Sequence, residues 1–196
     1  MFFIQINVIY PVETVIKIIS MSVAIFGVIL GSLLLSPVHA QDANLGSSTA
    51  RSREGLVALY NFCESGGPLI RDQSGSATPI HLRIRSMRGV QRLGNGLRLI
   101  GDTRLISEQT PQGLIKGIRK SDAFTIEAWI TPANAQLKGP ARIVTLSRNG
   151  SERNFTLGQE GARFDVRCRS SKTDRNGLPS LASKQKTLST DLTHVV

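Results

Sequence analysis

The side chains of this chain that could carry acid–base or covalent chemistry stand apart from one another. Hydrolysis of a glycosidic bond with retention needs two carboxylates about 5 Å apart. On a strand, acids two residues apart supply them on one face, in a pattern such as Glu-x-Asp-x-x-Glu. The sequence holds no such triplet. Glu127 stands alone between Thr125 and Trp129 on its face, and Asp165 stands among arginines, where it reads as an ion-pair partner. The histidines His39, His81 and His194 have no neighbours at zinc-ligand spacing. Cys63 and Cys168 are too far apart in sequence for a redox CxxC pair, and no Gly-x-Ser-x-Gly elbow occurs. Gly94-x-Gly96 follows no βαβ unit and carries no nucleotide signal. Asp72, Asp102 and Asp122 lie between apolar runs, where they could join a Ca²⁺ site. Such a site needs six or more oxygens, which these residues alone do not supply. These residues point to a protein that is not an enzyme and has no resident cofactor, with calcium left open.

The elements that would position these residues are short strands. From Phe124 to Arg169 the chain reads FTIEAWITPAN and then ARIVTLSRNGSERNFTLGQEGARFDVRCR. Apolar and polar residues alternate in runs separated by turn residues, the pattern of an antiparallel sheet. Strands are expected at 124–131, 142–147, 154–158 and 163–169. Asn149-Gly150 marks a hairpin between the second and third. In the last run Phe164, Val166 and Cys168 share one face, expected to be buried, while Arg163, Asp165, Arg167 and Arg169 share the other. Upstream, 55–62 reads as a strand apolar on both faces. The runs 80–85, 97–100 and 104–106 read as further strands, and Leu192–Val196 begins another. One helix is expected over 110–120, with Thr110 as cap, Pro111 in its first turn and an apolar stripe of Leu114, Ile115 and Ile118. Residues 170–191 are polar and rich in Ser and Lys, as an exposed loop would be. Trp129 could pack between sheets or offer its ring face to a sugar.

The front of the chain is of another kind. Ile18–Leu35 is uncharged and mostly apolar, Lys17 precedes it, and Val38-His39-Ala40 follows. A basic flank, an apolar run and a small-x-Ala exit read as a secretory signal cut between Ala40 and Gln41. The run also reaches the roughly 18 residues at which a membrane anchor becomes the alternative. The chain therefore divides into residues 1–40 as a signal or anchor helix, 41–54 as a Ser/Ala/Gly-rich linker, and 55–196 as one domain. This places the protein at the cell surface or outside the cell. Two cysteines in an oxidising compartment permit one Cys63–Cys168 bridge, and free thiols are the alternative. Asn149 and Asn154 match the glycosylation acceptor pattern.

The net charge is +10. Residues 1–40 contain one Lys and one Glu, so removing them leaves it unchanged. That excess favours anionic partners. Arg83, Arg85, Arg88, Arg92, Arg98 and Arg104 are spread over several expected elements, and no cluster is visible. With one Trp, two Tyr and seven Phe in the chain, basic residues do not interleave with stacking aromatics, so nucleic acid is not expected.

The ordered pieces LVALYNF, ESGG, DQSG, FTIEAWITPAN, RIVTLSRN, NFTLGQ, ARFDVRCR and LTHVV resemble the LamG-like jelly-roll domain, of the concanavalin A-like lectin and glucanase superfamily. The resemblance covers about residues 55–196. It implies an all-β, antiparallel two-sheet jelly-roll sandwich behind the N-terminal apolar helix. It also implies binding of a carbohydrate or an extracellular protein. In that family the HVV-type strand is followed by a further strand, a Gly-containing hairpin with an aromatic residue, and a last strand. None of these occurs here, so the sandwich is expected to be incomplete. The expectation is an exported, non-catalytic binding module. A truncated fragment without independent activity and a degenerate glycan hydrolase are the alternatives.

Overall fold

The structure, a computed structural model, describes residues 3–6, 53–94 and 96–196. It is antiparallel β with one short helix. The strands are β1 (Phe3–Ile6), β2 (Leu69–Ile70), β3 (Leu82–Ile84), β4 (Val90–Arg92), β5 (Leu97–Leu99), β6 (Leu105–Ser107), β7 (Ala128–Ile130), β8 (Ala141–Ser147), β9 (Arg153–Glu160), β10 (Arg163–Cys168), β11 (Leu181–Ala182) and β12 (Thr193–Val195). Helix α1 (Gln112–Ser121) lies between β6 and β7. Eight strands form one sheet in the order β11-β10-β9-β8-β1-β6-β3-β2, and β12–β7 and β4–β5 form two-stranded sheets. The signal cleavage at Ala40 and Gln41 and the apolar run at 18–35 lie outside the described residues. No helix among the described residues is long and apolar enough to cross a membrane.

One face of the large sheet is the core. Ile84 stands opposite Leu105, Val144 opposite Leu157 and Leu146 opposite Phe155. All six are buried, in one cluster with Tyr60, Phe62, Leu114 and Ile115. Burying several such side chains contributes roughly 1.5–3 kcal/mol each before entropy is counted. Strand β1 fills the position between β6 and β8. Its Ile6 registers with Leu105 and Val144, and its Ile4 with Leu146.

The hairpin at Asn149-Gly150 forms as expected and joins β8 to β9. The Asn149 Oδ1 accepts from the amides of Ser151 and Glu152, at 2.8 Å each, which turns the chain. Helix α1 also forms, displaced by about a residue. Pro111 rather than Thr110 is its cap, and among the described residues no side chain caps its amides. It ends at Asp122, whose left-handed backbone (φ 55°) lets its amide donate to the Ile118 carbonyl at 2.7 Å.

Three local expectations are corrected. Residues 56–62 alternate as a strand would, with Ala58, Tyr60 and Phe62 buried, but among the described residues they join no ladder. Their backbone is held by single bonds: Leu59 donates its amide to Asp72 Oδ1 at 3.0 Å, and Gln73 donates its amide to the Leu59 carbonyl at 2.8 Å. The stretch 170–191 is not wholly exposed. Leu188 is buried, β11 pairs with β10, and Gly177 (φ 75°) comes so close that a Cβ there would sit 3.0 Å from the Arg167 Cβ. That return covers part of the face opposite the core. For this reason Asp165 is buried while Val166 and Cys168 are only half-buried, against the alternation expected for β10.

Candidate anion-binding groove

The face of the large sheet opposite the core is polar, and its register brings together arginines distant in sequence. Across the strands, Arg83 stands opposite Ile106, Ile106 opposite Gln5, Gln5 opposite Thr145, Thr145 opposite Thr156, and Thr156 opposite Arg167. Residues directly opposite share a face, so Arg83, Ile106, Thr145, Thr156 and Arg167 lie on one side, with the backbone of β1 passing between Ile106 and Thr145. Arg85 and Arg104 flank it, because the Arg85 amide donates to the Arg104 carbonyl at 2.9 Å just beyond the β3–β6 pairing.

Two irregularities add the decisive residues. The β8–β9 register shifts between Arg142 and Val144, and again between Leu146 and Ser147. The first shift passes over Ile143 and sets Arg142 on the face of Thr145. The second passes over Asn154 and sets Arg153, opposite Ser147, on the face of Thr156. A one-residue bulge reverses the alternation beyond it.

The result is a groove of about 590 Å³. Its lining includes Arg83, Arg85, Arg104, Arg142 and Arg148, with Ser147, Asn149 and Gly150 of the hairpin. Glu108 is the only carboxylate among the lining residues described, and it is taken up by Arg83, whose Nε donates to its Oε1 at 2.8 Å. Arg148 pairs with Glu152 at 3.3 Å, outside the groove. Among the described residues no carboxylate pairs with Arg85, Arg104 or Arg142. Burial holds the Arg142 guanidinium below its ordinary range, and Arg167 and Arg104 push it the same way. Like charges this close raise the cost of each, and an anion placed among them would lower it.

The six arginines that read as dispersed are thus sorted by the fold. Arg83, Arg85 and Arg104 face the groove, while Arg88 is exposed on the turn at Met87–Gly89, outside it. Arg92 turns instead to the Glu64 and Gly67 carbonyls, at 2.8 and 2.6 Å, and Arg98 to Gln91 at 3.4 Å. Arg142, Arg148 and Arg153 were not singled out by sequence, and Arg167 was placed only on the polar face of its run. The one signal that could have found Arg142, Arg148 and Arg153 is their concentration at the Asn149-Gly150 hairpin and its flanking strands.

The other residues with chemical potential fall elsewhere. Glu127, expected to be solitary, is buried, and its Oε1 lies 2.8 Å from His194 Nε2. The His194 ring stacks on half-buried Trp129, with centroids 4.2 Å apart and planes at 13°. This pair ties β12 to β7, where His194 and Trp129 stand directly opposite. Asp72 has both oxygens engaged by backbone: Oδ1 accepts from Leu59 and Ser74 and Oδ2 from Ile80, at 2.8–3.0 Å. Asp72 thus ties residues 59, 74 and 80 together. Among the described residues no three His, Cys, Asp or Glu side chains stand together to hold a metal ion. Cys63 is an exposed free thiol and Cys168 a half-buried one, with no bridge between them. Burial, helped by Asp122, raises the Cys168 thiol above its ordinary range. Of the two acceptor-pattern residues, Asn149 is exposed at the hairpin and Asn154 is half-buried in β9.

No known protein family matches the chain, and neither does any curated protein or solved structure. The arginine face therefore stands on its own geometry.

Proposed function

We propose that the chain is an exported, non-catalytic binding module built as a jelly-roll sandwich, and that it holds an acidic glycan in the arginine groove. The observation that carries this is the lining: five arginines against one carboxylate that is already paired. A guanidinium presents planar, parallel donors that match the oxygens of a uronate or a sulfate ester, and it is weakly hydrated, so it gives up water readily. Each exposed pair contributes roughly 0.2–1 kcal/mol. One sugar unit would bind weakly, and a polymer carrying repeated charges would bind well through rebinding of neighbouring units.

The test is to titrate the full chain with a sulfated polysaccharide, a polyuronate, a neutral glucan and duplex DNA, each at low and high salt. The expected result is binding of the acidic polysaccharides, none of the neutral one, and affinity that falls with salt. The double variant Arg83→Gln/Arg104→Gln should bind about tenfold more weakly, the loss of two modest pairs. Equal binding of the neutral glucan, tighter binding of DNA, or no acidic-glycan binding near ~1 mM would each overturn the proposal.

A further inference from the structure

Behind the Gly150 and Arg142 corner of the groove lies a buried residue that is not itself part of the lining. Arg153 is 6% exposed, yet its Nε and Nη1 have no hydrogen-bond partner among the described residues. Only its Nη2 is engaged, donating to the Gly150 carbonyl at 2.8 Å. Arg142 Nη2 donates to the same oxygen at 3.1 Å. The two guanidiniums therefore meet at one carbonyl, and both Gly150 and Arg142 line the groove.

A buried charged group normally has every donor met, because an unmet one forfeits its hydration without return. The nearby carboxylates do not meet these donors. Asp165 accepts from Arg167 Nε at 3.1 Å and from Ser180 Oγ at 2.6 Å, and Asp174 caps the amides of Asn176 and Leu178. Burial, then Arg142, then Arg167 push the Arg153 guanidinium down to about 10, only partly offset by Asp165 and Asp174. Positive charge gathers here faster than the chain's own acids compensate it.

We infer that Arg153 and Arg142 form a subsite for one tetrahedral oxyanion, and that the acidic glycan of the groove is a sulfate ester rather than a uronate. This refinement rests on the groove reading above. A sulfate group offers three oxygens to donors arriving from two guanidiniums, whereas a carboxylate offers two in one plane. Free inorganic sulfate and a sulfate ester share this chemistry, and the two are separable by experiment.

Four arms test it on the full chain. Equilibrium dialysis of the wild type with radiolabelled sulfate should show one saturable site per chain. No saturable site below ~10 mM would overturn the subsite. In thermal unfolding, sulfate should raise the melting temperature saturably by about 5 °C. The general salting effect of sulfate rises without saturating, and a rise of that kind alone is a negative result. Arg153→Leu keeps the packing of the stem and removes the unmet charge. It should melt at or above the wild-type temperature without sulfate and lose the saturable rise. An undiminished saturable rise in Arg153→Leu overturns the assignment of the site to this residue. Should that variant fail to fold, Arg142→Gln, with a half-buried side chain, is read the same way.

The last arm compares a sulfated oligosaccharide with its desulfated and carboxylated forms. Preference for the sulfated form by tenfold or more, lost in Arg153→Leu, is expected. Equal binding of sulfated and carboxylated forms defeats the ester reading and leaves the groove standing. Saturable sulfate with no glycan bound defeats the groove reading and leaves the oxyanion site standing.

Discussion

Arg142 and Arg153 donate to a single oxygen, the carbonyl of Gly150, at 3.1 and 2.8 Å. Two cations are thereby held at the tip of the β8–β9 hairpin, on strands whose alternation is twice interrupted. The hairpin is consequently both a turn and the corner of a charged groove, and variants near it report on stability and binding separately.

The polar face depends on hydroxyls as well as arginines. Thr145 and Thr156 are both fully buried, their oxygens are 2.7 Å apart, and Thr145 Oγ1 also donates to the Phe155 carbonyl at 2.9 Å. Thr145→Val alone leaves Thr156 short of a partner and should cost about 1–3 kcal/mol. Thr145→Val with Thr156→Val together should cost less than the two single changes added. Chemical denaturation of the four proteins measures this, and strict additivity would refute the pairing.

The Tyr60 phenol is fully buried and donates to the Ile80 carbonyl. Burial first, and then Asp72, raise its titration well above the ordinary 10.0. The folded chain therefore holds this proton more tightly than the unfolded chain. The resulting stability is complete below about pH 10 and is lost as pH climbs from there toward the folded value. Tyr60→Phe should be less stable by about 1 kcal/mol at neutral pH. The gap to the wild type should narrow above pH 10, measured by urea unfolding at several pH values.

His194 and Glu127 fasten β12 to β7. His194→Ala removes one partner of a buried carboxylate and uncovers the ring of Trp129. Trp129 is the only tryptophan, so its emission should shift to longer wavelength. The amides of Thr193–Val195 should exchange with solvent at least tenfold faster, the mark of local opening rather than global loss.

Strand β1 occupies the interior of the eight-stranded sheet, between β6 and β8. Proline has no amide to donate and is excluded from central strands. Ile6→Pro should therefore lower stability by about 3 kcal/mol, seen as a fall in melting temperature. An unchanged melting temperature would show that this strand does not contribute to the sheet in solution. Processing after Ala40 would remove the same strand. Hydrogen exchange at Leu105–Ser107 and Val144–Ser147 in exported protein would then be faster than in the full chain.

Much of the antiparallel architecture was legible in the sequence. Alternating apolar residues marked β8, β9 and β10, Asn149-Gly150 marked the hairpin between the first two, and the stripe of Leu114, Ile115 and Ile118 marked α1. Those signals are local: side-chain periodicity and turn chemistry act over a few residues, so a single chain segment displays them. The same locality explains the partial failure at 55–62. The apolar alternation there is real, but whether neighbouring backbone completes a ladder depends on distant segments, and here Asp72 and Gln73 satisfy it instead.

The arginine site was decided by tertiary structure. Simple alternation through β9 puts Arg153 on the side of Phe155 and Leu157, and simple alternation through β8 separates Arg142 from Thr145. Each bulge inserts one unpaired residue, at Asn154 and at Ile143, and with a side-chain period of two that single residue exchanges the faces. Strand pairing then sets Arg83, Arg85 and Arg104 beside Arg142, although they are distant from it in sequence. Composition supplied the excess of positive charge. The register between strands, which no local window contains, concentrated it on one face.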